Sequence, residues 1–502
     1  MRCVITHSVS ALAIAIATTL TIPTPVLAVG QQNVTAIVGA TIIDGNGGAP
    51  ISDGVIVITG DRITAVGARG SVSVPGSAQV IDGTGKFVTP GFIDTNVHVS
   101  LYGAGETIVR YEARNADITR EAAQLHLKHG ITTIRDSYGS LLPLMQVRDE
   151  IARGETVGPR MLVAGNIVGW GGPYSISFSL RREQGLTLFQ EQFNDFITQG
   201  SGEELMDMEI PELRTAINAY LDLGPDLLKY GGTSHFSNPV MIGFSQRAQD
   251  AIVEEVHKRG LVAETHSTNS EGLRMSVLAG IDLIQHPEVL PGEMSDELVD
   301  MIVDRGIVCA MLTNTITGEV WEEHVEEREK KAKAEAEGED EEDEAEEREK
   351  TSAELRAERR ASGIGMEIRR KNAQTLIERG CIVTIGTDNY LGSAPEFRRT
   401  PKRDNQEAGI GSIIAIEGLV ELGMTPAEAI TAATRNGAIA CKALDDFGTL
   451  EVGKLADINM FDADPLEDIH NIRQLSRVWK EGTAVDLDAL PNERIFSTPW
   501  VS

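Results

Sequence analysis

Pro90-Gly91-Phe92-Ile93-Asp94-Thr95-Asn96-Val97-His98-Val99-Ser100 is the stretch whose reading decides the fold. A proline and a glycine punctuate it, the apolar pair Phe92-Ile93 enters a buried strand, and Asp94, Asn96 and His98 then leave on one face. Residues two apart in a strand point the same way, so Asn96 and His98 present an amide oxygen and an imidazole side by side. That geometry suits a metal ion. On its own such a pair reads as a hydrogen-bonded strand end, and its weight comes from the ends of later strands.

Those strands follow as short β-branched runs that alternate with helical stretches, the pattern of parallel βα units. The runs are Phe92 to His98, Ile131 to Asp136, Met161 to Val168, Leu227 to Tyr230, Leu261 to His266, Leu283 to His286, Ile307 to Leu312 and Ile382 to Asp388. Their number, about eight, is that of a TIM-type (β/α)8 barrel, whose catalytic groups sit at the C-terminal ends of the strands. Several are preceded by a helix ending in glycine, as at Lys128-His129-Gly130 and Glu378-Arg379-Gly380. Glycine there accepts the left-handed conformation that ends a helix.

Upstream, from Val34 to about Lys86, short β-runs with turn signals form too little chain to close a core. The missing strands are expected from the other end, at Ala456 to Phe461 and Val478 to Glu481. The expected organisation is a signal peptide (1–28), the first part of a small β-sandwich (29–86), the barrel (87–445), and the rest of the sandwich with a tail (446–502).

The address is read from the first residues. Arg2 supplies a positive start, Ala11 to Ile22 is apolar, and Val26-Leu27-Ala28 gives small residues for cleavage, so export to the periplasm or outside the cell is expected. Loss of Cys3 leaves Cys309, Cys381 and Cys441, an odd number that reads as buried thiols rather than a disulfide framework. A net charge of -30 opposes binding to polyanions such as nucleic acid or an anionic membrane. About a third of that charge lies in Glu319 to Arg360, which carries 19 acidic and 9 basic residues and cannot bury a core. It reads as an acidic helical or disordered insertion between strands seven and eight, with a lid or partner-binding arm as the sharper reading.

The strand ends hold the chemistry: Asn96 and His98 after the first, Lys229 after the fourth, His266 after the fifth, His286 after the sixth, Asp388 after the eighth. Imidazole with carboxylate suits zinc or a similar divalent ion. The set therefore reads as a metal site.

Here the chain resembles the amidohydrolase superfamily, across nearly its whole mature length. The resemblance rests on Pro-Gly-Phe-Ile-Asp-x-x-x-His, Gly-Ile-Thr-Thr-Ile-Arg-Asp (130–136), the lysine of Leu-Lys-Tyr-Gly-Gly, Glu-Thr-His (264–266), Ile-Gln-His-Pro (284–287), Gly-Thr-Asp (386–388) and the closing Val-Gly-Lys-Leu-Ala-Asp (452–457). Its imidazolonepropionase-related and prolidase-like branch is the most similar. The resemblance implies one or two divalent metals, a carbamate on Lys229 bridging them where there are two, His266 and His286 on the second metal and His98 on the first. It further implies a metal-activated hydroxide, since coordination brings the pKa of water toward about 7, with Asp388 moving the proton to the leaving nitrogen. The family pattern has His-x-His where this chain has Asn96-x-His98. An amide oxygen is a harder and weaker donor to zinc than imidazole, which leaves open two metals, one metal, or a decayed site.

Candidate substrate contacts are Trp170 and Tyr174 in the loop after the third strand, His235 after Lys229, and Arg398 and Arg399 in a basic cluster suited to a carboxylate. The expected activity is metal-dependent hydrolysis of amide-like C–N bonds in a small molecule such as an N-acyl amino acid or dipeptide. A cyclic amide or lactone hydrolase and a catalytically decayed binding protein are the alternatives. The expected partner is a small-molecule substrate, with no nucleic acid, no membrane after signal cleavage, and self-association into a homo-oligomer left open.

Overall fold

A computed structural model describes residues 33–101, 105–178, 185–235, 241–337, 365–397 and 401–496. The signal-peptide expectation and the distal part of the acidic insertion lie outside these residues. The insertion's first part, Glu319–Glu337, is a helix.

The chain opens with β1 (Val34–Ile42), β2 (Ile51–Thr59), β3 (Arg62–Ala68), β4 (Gln79–Asp82) and β5 (Phe87–Pro90). It closes with β15 (Ile458–Phe461), β16 (Leu475–Lys480) and β17 (Thr483–Ala484). All eight join one mixed sheet in the order β17-β16-β15-β5-β1-β2-β3, with β4 on β1. The seam between the two ends of the chain is the antiparallel pairing of β5 with β15, Ile458 opposite Pro90 and Phe461 opposite Phe87. Alternation along β2, and along β1 with register shifts between Val38 and Ile42 that change its facing, sends Ile37, Ile42, Ile56 and Ile58 into a cluster with Val88, Ile458, Met460 and Trp479, which draws both termini onto one core.

Between the termini lie the parallel strands β6 (Phe92–His98), β7 (Ile131–Asp136), β8 (Arg160–Val163), β9 (Leu227–Gly231), β10 (Val262–His266), β11 (Leu283–Gln285), β12 (Val308–Met311) and β13 (Ile382–Ile385), then the short β14 (Asn389–Tyr390). They form two arcs, β14-β6-β7-β8 and β13-β12-β11-β10-β9, rather than one closed ladder. A single parallel bridge, Val168 with Tyr230, links the arcs on one side. On the other, β14 pairs with β6 and the Asp388 N–H donates to the Asn96 carbonyl at 2.8 Å.

Helices cover the outer faces, so parallel strands are buried on both sides. β6 is buried along its whole length although it carries Asp94, Thr95, Asn96 and His98. Two of those polar groups act as cross-links. Thr95 Oγ1 donates to the Ile385 carbonyl at 2.6 Å, and Asp94 Oδ2 accepts from Thr387 Oγ1 and Ser412 Oγ, each at 2.7 Å. Gly91 is required at the entry to β6, since a Cβ there would stand 2.2 Å from Thr132 Oγ1.

One sequence reading is corrected. Cys309 on β12 and Cys381 at the entrance to β13 are joined in a disulfide, with Cα atoms 6.5 Å apart. Their 72-residue separation hides the fact that they begin neighbouring parallel strands. Cys441 alone is a buried thiol, its pKa pushed up by burial to about 11.

Replacing both Cys309 and Cys381 by alanine is expected to lower the stability of the oxidised protein by about 4 kcal/mol, the loop-closure value for so long a loop, read by urea denaturation. A second expectation concerns acid. His126, buried in the helix Asn115–Lys128, donates from Nδ1 to the Ala122 carbonyl at 2.8 Å, and burial lowers its pKa from 6.5 to about 4. Unfolded chains bind this proton first, so stability is lost as pH falls from 6.5 through 4, by about 3 kcal/mol. Wild type should lose that much more than His126→Gln over this interval in paired denaturation curves.

Candidate active site

The C-terminal ends of the parallel strands bring the expected site residues together. Asn96 and His98 end β6, Lys229 lies on β9, His266 ends β10, His286 follows β11 and Asp388 follows β13. All are buried except Asp388, whose side chain remains 37% exposed. His286 and Asp388 both take positive φ, 40° and 53°, a region costly for non-glycine residues and concentrated at functional sites.

Two donor pairs stand at this end. His98 Nε2 stands 2.8 Å from Asp388 Oδ1, and Asn96 Nδ2 donates to the same oxygen at 3.1 Å. His266 Nδ1 stands 3.1 Å from His286 Nε2. The Tyr138 carbonyl, 3.1 Å from His98 Nδ1, can only accept, so Nδ1 carries a proton and Nε2 is the ring nitrogen turned to the carboxylate. The Asn96 amide nitrogen being engaged by Asp388, its Oδ1 is left buried without a hydrogen-bond partner among the described residues.

Electrostatics prepare the same groups. Burial, with His286, His235 and Lys229 nearby, holds the His266 pKa well below its usual range. Burial likewise lowers that of His286 to about 4, with Asp388 opposing. Both rings are therefore neutral, with lone pairs available near neutral pH. Desolvation pushes Asp388 up, but the hydrogen bond with His98, and His98, His286 and Lys229 close by, hold it well below the usual carboxylate range. Lys229 is lowered by burial, against Glu264, Asp388 and Asp136.

Among the described residues no three His, Cys, Asp or Glu side chains already converge on one point. The donors stand as two pairs at 2.8 and 3.1 Å, close to the separation of about 3 Å between two ligands on one ion. Neutral imidazoles, an ionised carboxylate and an orphaned amide oxygen fit a divalent cation.

Several supporting residues escape a reading of the sequence alone. Asp136 Oδ2 accepts from the Val99 N–H at 2.7 Å and fixes the chain beyond His98, while burial raises its pKa to about 7. Its signal was the motif at 130–136. Beneath the site, Arg135 and Glu264 form a wholly buried ion pair at 2.6 Å, and Arg135 Nη1 also donates to the Ala440 carbonyl. Glu264, on the same strand face as His266, could have been found by its spacing of two.

The proposed substrate contacts divide. The Trp170 ring is buried, donates from Nε1 to the Thr233 carbonyl at 3.0 Å and lies 4.8 Å from the His266 ring. His235 is exposed, stacks on Phe178 at 4.8 Å and lies 5.8 Å from His266, so it belongs to the rim. Tyr174 instead packs on Phe193. Arg398 and Arg399 lie outside the described residues; of their cluster, Lys402 is buried 3.7 Å from Glu407 and Arg403 pairs with Glu323.

Comparison with known proteins identifies the family. Residues 87–485 match the Amidohydrolase family, and the chain belongs to it. It is a hydrolase acting on carbon–nitrogen bonds, in a family that generally uses divalent metals. The imidazolonepropionase of Brevibacillus brevis is 23% identical over 442 residues, covering 81% of this chain and 83% of that protein. The structure of molinate hydrolase superposes with a TM-score of 0.79 at 27% identity, covering 94% of this chain and 99% of that one. That of phenylurea hydrolase B gives 0.77 at 29% identity, covering 93% and 100%. Likeness to these folds implies a TIM-type barrel of mixed α/β content.

Glu264→Gln leaves Arg135 as an uncompensated buried charge. It is expected to cost about 3 to 5 kcal/mol in denaturant unfolding. A loss under about 1 kcal/mol would show that the pair is replaceable by neutral hydrogen bonding.

Proposed function

We propose that the chain is an exported, metal-dependent hydrolase of amide-like C–N bonds in a small molecule such as an N-acyl amino acid or dipeptide. The observation that carries this reading is the convergence of neutral-held His266 and His286 with the His98–Asp388 pair, beside Lys229 and Asn96, at the strand ends. A phenylurea, named for one structural relative, is itself a small molecule with C–N bonds. The fold is read as a TIM-type barrel with a β-sandwich built from both termini; the mixed terminal sheet and the two parallel arcs support that reading. Export is supported by the Cys309–Cys381 disulfide, since such bonds persist in oxidising compartments.

The residues that would hold the metal, zinc by the balance of imidazole and carboxylate, are His98, Asn96 and Asp388 on one side and His266 and His286 on the other. Bound there, a divalent ion would supply Lewis acidity for the scissile carbonyl and for water near neutral pH. Asp388, kept ionised and partly open to solvent, accepts the proton of the attacking water and returns it to the leaving nitrogen. Lys229, its pKa lowered by burial, is the residue that would carry a carbamate if two ions were held here. Asn96 supports activity rather than decay, because its amide nitrogen anchors Asp388 and its oxygen remains for the cation.

Chelation should abolish hydrolysis of N-acyl amino acids by the purified mature protein, and zinc or manganese should restore it. Asp388→Asn should lower kcat by about a hundred- to ten-thousand-fold. Elemental analysis should find metal in the native chain, with Asn96→His raising occupancy if the amide weakens the first site. Chelator-resistant hydrolysis, or no metal in the native chain after zinc is supplied, would overturn the reading.

A further inference from the structure

Arg369 is a cation at the catalytic end that the chemistry above does not use. It lies in the first turn of the helix Met366–Glu378, which leads through Gly380 into β13. That helix runs antiparallel to the strands, so its first turn lies at the end where His286 and Asp388 stand. The contacts of Arg369 agree: it reaches Glu288, two residues beyond His286, and Thr315, just beyond β12.

The guanidinium is incompletely satisfied there. Nη2 donates to Thr315 Oγ1 at 2.7 Å, while Glu288 Oε1 is 3.6 Å away, too far for a hydrogen bond. That Glu288 oxygen already accepts the Leu312 N–H at 3.0 Å. Nε is buried with no hydrogen-bond partner among the described residues, although the side chain as a whole keeps 15% of its surface open. Buried donors are nearly always paired, so a guanidinium left short at the mouth of an active site is a place where a ligand completes the set. The neighbouring Arg370 shows what a structural arginine looks like here: it donates to the Ile316 carbonyl and to Glu421, and lies over the Trp321 ring.

We propose that Arg369 is the anchor for a carboxylate on the substrate, which would dock in bidentate fashion between the loops after β11 and β12. The inference rests on the C–N hydrolase reading and narrows it to acidic substrates, the N-acyl amino acids and dipeptides with a free carboxylate rather than neutral amides. A planar fork of N–H donors matches a carboxylate geometrically, and low local dielectric strengthens the pairing. Beside His266, His235 and Phe178 offer a stacked aromatic rim for the acyl half.

The test uses metal-replete protein and a panel of N-benzoyl amino acids, each paired with its C-terminal methyl ester. Wild type should prefer the acids. Arg369→Met should raise KM for an acid at least ten-fold relative to KM for its ester, with kcat for the acid changed far less, and Arg369→Lys should recover part of the difference. Melting temperatures of both variants separate this from loss of fold, which would depress kcat for acid and ester together. Equal turnover of acids and esters by wild type, or an Arg369→Met effect equal on both, overturns the carboxylate anchor alone. No turnover of any member by metal-replete wild type overturns the underlying N-acyl amino acid reading, and the anchor with it.

Discussion

The site depends on one buried junction, where β6 meets the turn after β13. Asp94 accepts hydroxyl bonds from Thr387 and Ser412, Thr95 donates to Ile385, and the Asp388 amide donates to Asn96. Nearly 300 residues of chain separate the two sides, yet Asp388 must arrive within 2.8 Å of His98. Burial raises the Asp94 pKa to about 6, opposed by Ser412 and Thr387, so the junction sets a desolvated carboxyl against well-aimed donors. The positive φ of Asp388 is tolerated because this junction over-determines its position.

Around that junction the electrostatics divide the labour. The same desolvation keeps His266 and His286 neutral, while the hydrogen bond with His98 and the groups close by hold Asp388 ionised. Lone pairs for a cation and a base for a proton coexist within a few ångströms because burial and charge pull different groups in different directions. Arg135 and Glu264 lie under this layer and contribute charge without exposure.

Much of the site was legible in the sequence because a strand end is a local signal. Asn96-x-His98, Glu264-Thr-His266, Ile284-Gln-His286 and Gly386-Thr-Asp388 each close a short apolar run, and each lies at the common end of the parallel strands. Pairings between distant segments carry no such signal. The Cys309–Cys381 bond, the Arg135–Glu264 pair and the reach of Arg369 to Glu288 depend on which strands and helices become neighbours. The same holds for sheet continuity: eight strand runs can be counted along the chain, whereas their arrangement as two arcs follows from twist and from the short length of strands such as β11. Trp170 and Tyr174 sit four residues apart in one loop, and only packing decides that one adjoins His266 while the other turns to Phe193.

The disulfide between β12 and β13 spans the whole acidic insertion, so every peptide bond from residue 310 to residue 380 lies inside one covalent loop. A cut anywhere in that loop divides the polypeptide without releasing either part: His286 would remain on one fragment and Asp388 on the other, tied at the root of the two strands that position them. The protein can thus be a single chain by synthesis and two chains by composition while its active site stays whole, and only a reductant reveals the difference.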